Sequence, residues 1–270
     1  IQLEINCDSV EAVEIMIANL SKLDYYAFEQ IENTLLAFIK EDDFNDEKLK
    51  ANVLLLTTYK YSIIAERNWN EEWEADFKPV RVNNFAGIRA GFHEPIEDVS
   101  YDIIITPKMS FGTGHHATTY LMIELMQKVS FTNKSVLDFG TGTGILAILA
   151  EKLGASSVMA IDYDEWSINN AIENTGANSS ENIIVEQRNT IAGLSKVDII
   201  LANINFNVLH ENAENFFKLS LPGTTLIISG FLAGDEENIV SVFAKNRFVK
   251  KQKLQRVDWI ALQFYYELIF

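Results

Sequence analysis

The stretch that most constrains this chain is Ser135–Phe139, followed at once by Gly140-Thr141-Gly142-Thr143-Gly144 and then by Ile145–Leu153. The first segment reads as a buried strand and the last as an apolar helix, with three glycines between them. A strand, a glycine loop and a helix in direct succession form the first half of a βαβ unit, which commits the region to a parallel sheet with helices packed on its faces. Glycine lets the backbone approach a ligand closely, and the helix N-terminus offers free N–H groups to an anion. With 48% apolar residues in 270, the chain has material for a real core, arranged as one large domain or two modest ones.

The alternation continues downstream. Val158–Asp162, Ile183–Gln187, Val197–Asn203 and Thr224–Gly230 read as strands. Glu165–Thr175, Val208–Ser220 and Glu236–Lys245 read as helices. The pattern is that of an α/β doubly wound sheet. The end differs: Phe248–Gln255 and Trp259–Tyr265 leave no room for a helix between them and must pair antiparallel at or near the sheet edge. A parallel sheet closed by such a hairpin resembles the S-adenosylmethionine-dependent methyltransferase fold more than a nicotinamide dehydrogenase. The glycine loop alone leaves both open, because Gly142-x-Gly144-x-x-Ala147 also fits a dinucleotide fingerprint, and a purely structural turn is a third reading.

The hairpin, Asp138 and the Asn203 motif narrow the choice, while Asp162 suits the adenosine of either cofactor. Asp138 precedes the first glycine by two, which suits the ammonium of a methionine moiety. Asp162 ends the next strand, 22 residues after Gly140, where a carboxylate accepts hydrogen bonds from both ribose hydroxyls of an adenosine. Asn203 ends the following buried strand and leads into Ile204-Asn205-Phe206, where an amide oxygen and main-chain carbonyls suit the N–H groups of an amine nucleophile. The segment resembles the Asn/Asp-Pro-Pro-aromatic motif of amino-group methyltransferases, with both prolines replaced. The competing structural reading is an Asn203 that caps the next helix.

The first third has a different rhythm. Gln2–Asn6, Tyr25–Gln30, Leu35–Lys40 and Tyr59–Glu66 read as strands. A helix capped by Asp8 or Ser9 puts Val13, Ile17 and Leu20 on one face, and a second runs from about Asp46 to Leu56. The order βαββαβ predicts a small ferredoxin-like α+β domain over residues 1–67. Trp69, Trp73 and Phe77 then recur at helical spacing before Pro79, which predicts a linker helix within 68–84. Val80–Phe92 and Tyr101–Thr106 read as strands leading into a catalytic domain of residues 85–270.

The segment Phe111-Gly112-Thr113-Gly114-His115-His116-Ala117-Thr118-Thr119 leads into a helix over Tyr120–Val129 that Thr118 or Thr119 would cap. Read locally it is a glycine loop with a cap. Taken with Val136-Leu137-Asp138-Phe139-Gly140, with Ala202-Asn203-Ile204, with Ser229-Gly230-Phe231-Leu232 and with the Trp69–Trp73 linker, it resembles the bacterial methyltransferase of ribosomal protein L-eleven. The resemblance implies S-adenosylmethionine as cofactor, with Thr119, Asp138, Gly140, Gly142, Gly144, Asp162 and Asn203 binding it. It implies Phe111 and Thr113 in a pocket-lining loop, and Asn203 between cofactor and target amine as the catalytic residue. It also implies a head domain that recognises the substrate, and methyl transfer to lysine side chains or an α-amine. The family usually carries a proline at position 117, so the alanine here predicts a less restricted loop.

Charge fits this reading. The chain holds 38 acids against 22 bases, a net charge of −16. It therefore has no bulk attraction to nucleic acid or an anionic membrane, and attracts a basic protein instead. Residues 1–85 alone hold 17 acids and 8 bases. Cys7 is the only cysteine, which suits a reducing cytoplasm, and no apolar run reaches the roughly 20 residues needed to span a bilayer. The four histidines lack the i, i+4 spacing of a helical metal site, so no metal is expected, and a monomer is.

Overall fold

The computed structural model describes residues 1–52, 59–63, 77–107 and 114–267. Residues 68–76 of the expected linker helix, with Trp69 and Trp73, lie outside the described residues, as do Phe111 and Thr113; Phe77, the last residue of the aromatic stripe, is described and is not helical. The chain divides into two compact units, residues 1–73 and 74–270.

In the first unit, β1 (Gln2–Asn6), β2 (Ala27–Ile31), β3 (Thr34–Phe38) and β4 (Tyr59–Ser62) form an antiparallel sheet in the order β2-β3-β1-β4. That is the ferredoxin-like order. Helix α1 (Val10–Leu20) begins where Ser9 accepts the N–H of Ala12. Its Val13, Met16 and Leu20 pack with Leu3, Ile5, Leu35 and Ala37, the inward residues of two alternating strands. Helix α2 (Asp46–Asn52) adds Leu49 to this core.

The second unit opens with a small sheet. The expected single strand over Val80–Phe92 is instead a hairpin of β5 (Val80–Val82) and β6 (Ala86–Ala90), with Val80 opposite Ile88 and Val82 opposite Ala86. Asn83 turns the chain at φ 53°, a left-handed conformation that asparagine tolerates better than most residues. Residues 80–82, placed by the sequence reading in the linker, thus belong to a sheet. Strand β7 (Tyr101–Ile105) pairs parallel to β6.

The main sheet has seven strands: β8 (Ser135–Phe139), β9 (Ser157–Asp162), β10 (Ile183–Gln187), β11 (Val197–Asn203), β12 (Ser220–Leu232), β13 (Phe248–Arg256) and β14 (Trp259–Tyr266). Their order is β10-β9-β8-β11-β12-β14-β13, parallel except for β14 and its antiparallel partners. Helices α3 (Ala117–Met126) and α4 (Ile145–Lys152) cover one face. Helices α6 (Phe206–Leu219) and α7 (Glu236–Lys245) cover the other, and α5 (Glu165–Ala177) packs against β7, β9 and β10. Ile199 and Leu201 enter one layer while Ile200 and Ala202 enter the opposite one, so β11 is apolar on both sides. Strand β13 forms the edge. It carries Lys250, Lys251, Lys253 and Arg256, and charges of this kind discourage pairing with another chain. Lys250 and Lys253 both bind Glu236 of α7, at 3.0 and 2.6 Å.

The reversal of strand order at β8 and β11 opens a crevice at their carboxyl ends, which is where a doubly wound sheet receives ligands.

Candidate active site

That crevice is a cleft of about 740 Å³. Its walls include Gly140 and Gly142, Asp162, Asn203 and Ile204, Gly230 and Trp259. The structure therefore brings Gly140, Gly142, Asp162 and Asn203 to one cavity from three separate sequence segments.

The glycine loop is built by hydrogen bonds that need its unusual backbone. Gly140, Gly142 and Gly144 have φ of 74°, 54° and 80°, where a side chain is strained. At Gly140 a Cβ would also overlap the side chain of Ile204. The N–H groups of Gly140 and Thr141 both donate to Ile161 O, which ties the loop to the end of β9. Gly142 N–H donates to Asp162 Oδ2 at 2.9 Å, and Asp164 N–H donates to Asp162 Oδ1 at 3.1 Å. Each carboxylate oxygen keeps a second lone pair for a ligand hydroxyl.

Asp138 is fully buried beneath this loop. Its Oδ2 accepts from Thr141 Oγ1 at 2.6 Å, while Oδ1 has no protein partner. Burial pushes the Asp138 carboxyl up to about 7, against the hydrogen bonds from Thr141 and Ala147, and the nearby Asp162 charge adds to the rise.

Asn203 closes the other side. Its Nδ2 donates to the fully buried Thr119 Oγ1 at 3.4 Å, and its Oδ1 is buried without a protein partner. It does not cap the next helix. Asn205 does, accepting the N–H of Val208 at 3.1 Å. Ile204 is held between two glycines: its side chain abuts Gly140, and its carbonyl occupies the place a Cβ on Gly230 would take. Gly230 sits at φ 99° at a shift in the β12–β14 register, a bulge beside the cleft.

Helix α3 starts earlier than the sequence suggests, and neither threonine caps it. His116 is the cap: the Thr118 N–H donates to His116 Nδ1 at 3.3 Å, and Nδ1 lies 2.7 Å from Thr118 Oγ1. An N–H only donates, so Nδ1 is the acceptor of this cap. The His116 ring lines the cleft, edge-on to Trp259 at 4.7 Å. Capping by His116 leaves Thr119 inside the first turn, facing Asn203. Ala117 is the first helical residue, the position where proline fits best, so alanine there keeps the geometry and gives up only rigidity.

The sequence reading missed a polar seam on α5. Asn170, Asn174 and Asn178 recur every four residues and bond to the open edge of β7 and to Thr106 beyond it. Three asparagines at helical spacing on an otherwise half-apolar helix were the available signal.

The residues present fit S-adenosylmethionine. An unpartnered buried carboxylate oxygen suits an ammonium, Asp162 suits a ribose, and the glycine cradle would be filled by a single Cβ. Sheet order, terminal hairpin and cleft together define a Rossmann-like methyltransferase. Comparison with known proteins narrows this. The family model described as ribosomal protein L11 methyltransferase (PrmA) matches residues 4–267. A ribosomal protein L11 methyltransferase of Bacteroides fragilis is 37% identical over 262 residues, 93% of each chain. One of Chlorobaculum tepidum is 34% identical, covering 97% of this chain and 94% of that one. The solved ribosomal protein L11 methylase of Lactobacillus delbrueckii subsp. bulgaricus superposes with a TM-score of 0.66 at 28% identity, over 71% of this chain and 100% of that one. The chain belongs to the ribosomal protein L11 methyltransferase family.

Proposed function

We propose that this chain transfers methyl groups from S-adenosylmethionine to amino groups of ribosomal protein L11, on lysine side chains or the α-amine. The observation that carries the reading is the buried, unpartnered Oδ1 of Asn203 beside the glycine loop. An acceptor buried without a donor costs about 1–3 kcal/mol, and an incoming amine N–H removes that cost.

Bound S-adenosylmethionine supplies an electrophilic methyl group and a neutral thioether leaving group. Asp138 and Asp162, with the loop between them, hold the cofactor's charged and hydroxyl ends. The cleft wall of Ile204, Trp259 and His116 excludes water from the approaching amine. A lysine ammonium with a reference pKa near 10.4 must lose its proton first, and desolvation in an apolar cleft favours the neutral form. Asn203 Oδ1 then accepts one amine N–H and turns the nitrogen lone pair toward the methyl group. Positioning of this kind is the main demand of an in-line displacement. The acidic first unit serves in this reading to present the basic substrate.

Mass spectrometry of ribosomal protein L11 after incubation with the chain and cofactor tests the proposal. Mass increments of one or more methyl groups on amines are expected. An unmodified L11 in the presence of a chain that binds the cofactor refutes the substrate assignment, and methylation elsewhere than on nitrogen refutes the amine assignment.

A further inference from the structure

The asparagine seam on α5 joins two parts of the site that the reaction needs in register. Ile104 and Thr106 turn their N–H and C=O groups away from β6, where another strand would otherwise pair. Asn178 takes both groups of Ile104, at 3.0 and 2.6 Å. Asn170 Nδ2 donates to Thr106 O at 3.0 Å. Asn174 accepts the Thr106 N–H at 2.7 Å, and its Nδ2 reaches the other way to Thr143 O in the glycine loop, at 2.8 Å. Asn174 is completely buried. Because Thr106 N–H must donate, the orientation of the Asn174 amide is fixed and its nitrogen necessarily faces Thr143.

Thr143 stands between Gly142 and Gly144, both at positive φ, so the loop's own torsions restrain it weakly. Thr106 follows directly on β7, in the chain that leads on to α3, the helix that His116 caps and that carries Thr119. One side chain thus ties the glycine loop to the chain that enters the Thr119 helix, while Asn178, on the same seam, bonds to Ile104 and to the main-chain oxygen of Asn174. We infer that Asn174 is a positioning residue: by holding Thr143 O against Thr106 N–H it sets the glycine loop in the conformation that takes up the cofactor. The inference rests on the cofactor reading given above.

The test compares the full chain with Asn174→Ala and Asn178→Ala by calorimetric titration with S-adenosylhomocysteine, alongside thermal melts and steady-state kinetics. Both variants lose buried hydrogen bonds and melt lower. Asn174→Ala is expected to weaken binding tenfold or more and to raise KM for S-adenosylmethionine, with kcat at saturation changed less than KM. Asn178→Ala is expected to stay within twofold in affinity. Equal weakening in both variants, or an Asn174→Ala affinity within twofold of wild type, overturns the inference. Should Asn174→Ala not fold, Asn174→Ser, whose hydroxyl cannot span both partners, takes its place under the same criteria. Wild-type chain that fails to bind S-adenosylhomocysteine overturns the cofactor reading and this inference with it, whereas normal wild-type binding beside an unaffected Asn174 variant overturns this inference alone.

Discussion

Asn203 Nδ2 lies 3.4 Å from Thr119 Oγ1, and the same amide leaves its oxygen buried without a partner. The two residues come from the end of a strand and the first turn of a helix 84 positions earlier in the chain. Together they hold one unpartnered acceptor in the wall of the cleft. Removing that acceptor by Asn203→Ala should reduce kcat on the order of a hundredfold, the size of effect that misplacing a reacting group produces. Cofactor affinity should change only a few-fold. Single-turnover kinetics with calorimetry on the same sample separates the two, and a loss confined to affinity would reassign Asn203 to cofactor binding.

Gly230 and Ile204 make a second test. A methyl group at Gly230 would meet the Ile204 carbonyl and must also sit at φ 99°. Gly230→Ala should therefore cost stability by about 1–3 kcal/mol and displace the Asn203-Ile204 turn, lowering kcat. Gly176→Ala is the control. That glycine lies in α5 with nothing within 4 Å of an added Cβ, so the change should stabilise the chain by about 0.5–1 kcal/mol. Chemical denaturation of both variants gives the comparison.

Asp138 predicts a pH dependence. Its carboxyl, raised to about 7 from an ordinary 3.8, favours the protonated form in the folded chain without ligand. Its contribution to stability is fully present below about pH 4 and is lost as pH rises through about 7. A cofactor ammonium instead favours the carboxylate. Affinity for S-adenosylmethionine should rise as pH climbs through about 7, and binding below that pH should release a proton. Calorimetry in buffers of different ionisation enthalpy measures the release, and Asp138→Asn should abolish it.

The acidic first unit predicts a salt effect. With 15 acids against 6 bases in residues 1–73, association with a basic substrate should be fast at low ionic strength and slow as salt is added. Stopped-flow association rates give the slope. A rate indifferent to salt would mean that the substrate docks through uncharged surface.

Much of the fold was legible because its signals are local. The strand and glycine loop at 135–144, the period-two alternation of Gln2–Asn6 and the helix-free gap before Trp259 each encode their geometry within a few residues. Asp138, Asp162 and Asn203 were legible as strand ends. Other features depend on partners distant in sequence. His116 rather than Thr118 caps α3 because the imidazole, not the hydroxyl, meets the first free N–H. Asn205 rather than Asn203 caps α6, which leaves the Asn203 amide oxygen to the cleft. The hairpin at Val80–Ala90 hinges on Asn83, whose left-handed turn breaks what looks in sequence like one strand.

Residue types and spacing alone were enough to select a doubly wound sheet with a terminal hairpin, a βαββαβ head, a cofactor loop and the acids around it, since hydrophobic period and glycine placement act over short distances. Which polar atoms remain without partners was decided only by packing. The free oxygens of Asp138 and Asn203, the glycine at 230 that makes room for the Ile204 carbonyl, and the asparagine seam from Thr106 to Thr143 exist because buried donors and acceptors must be matched across the whole fold. No local rule counts those pairs, and the atoms the fold leaves over are the ones available for chemistry.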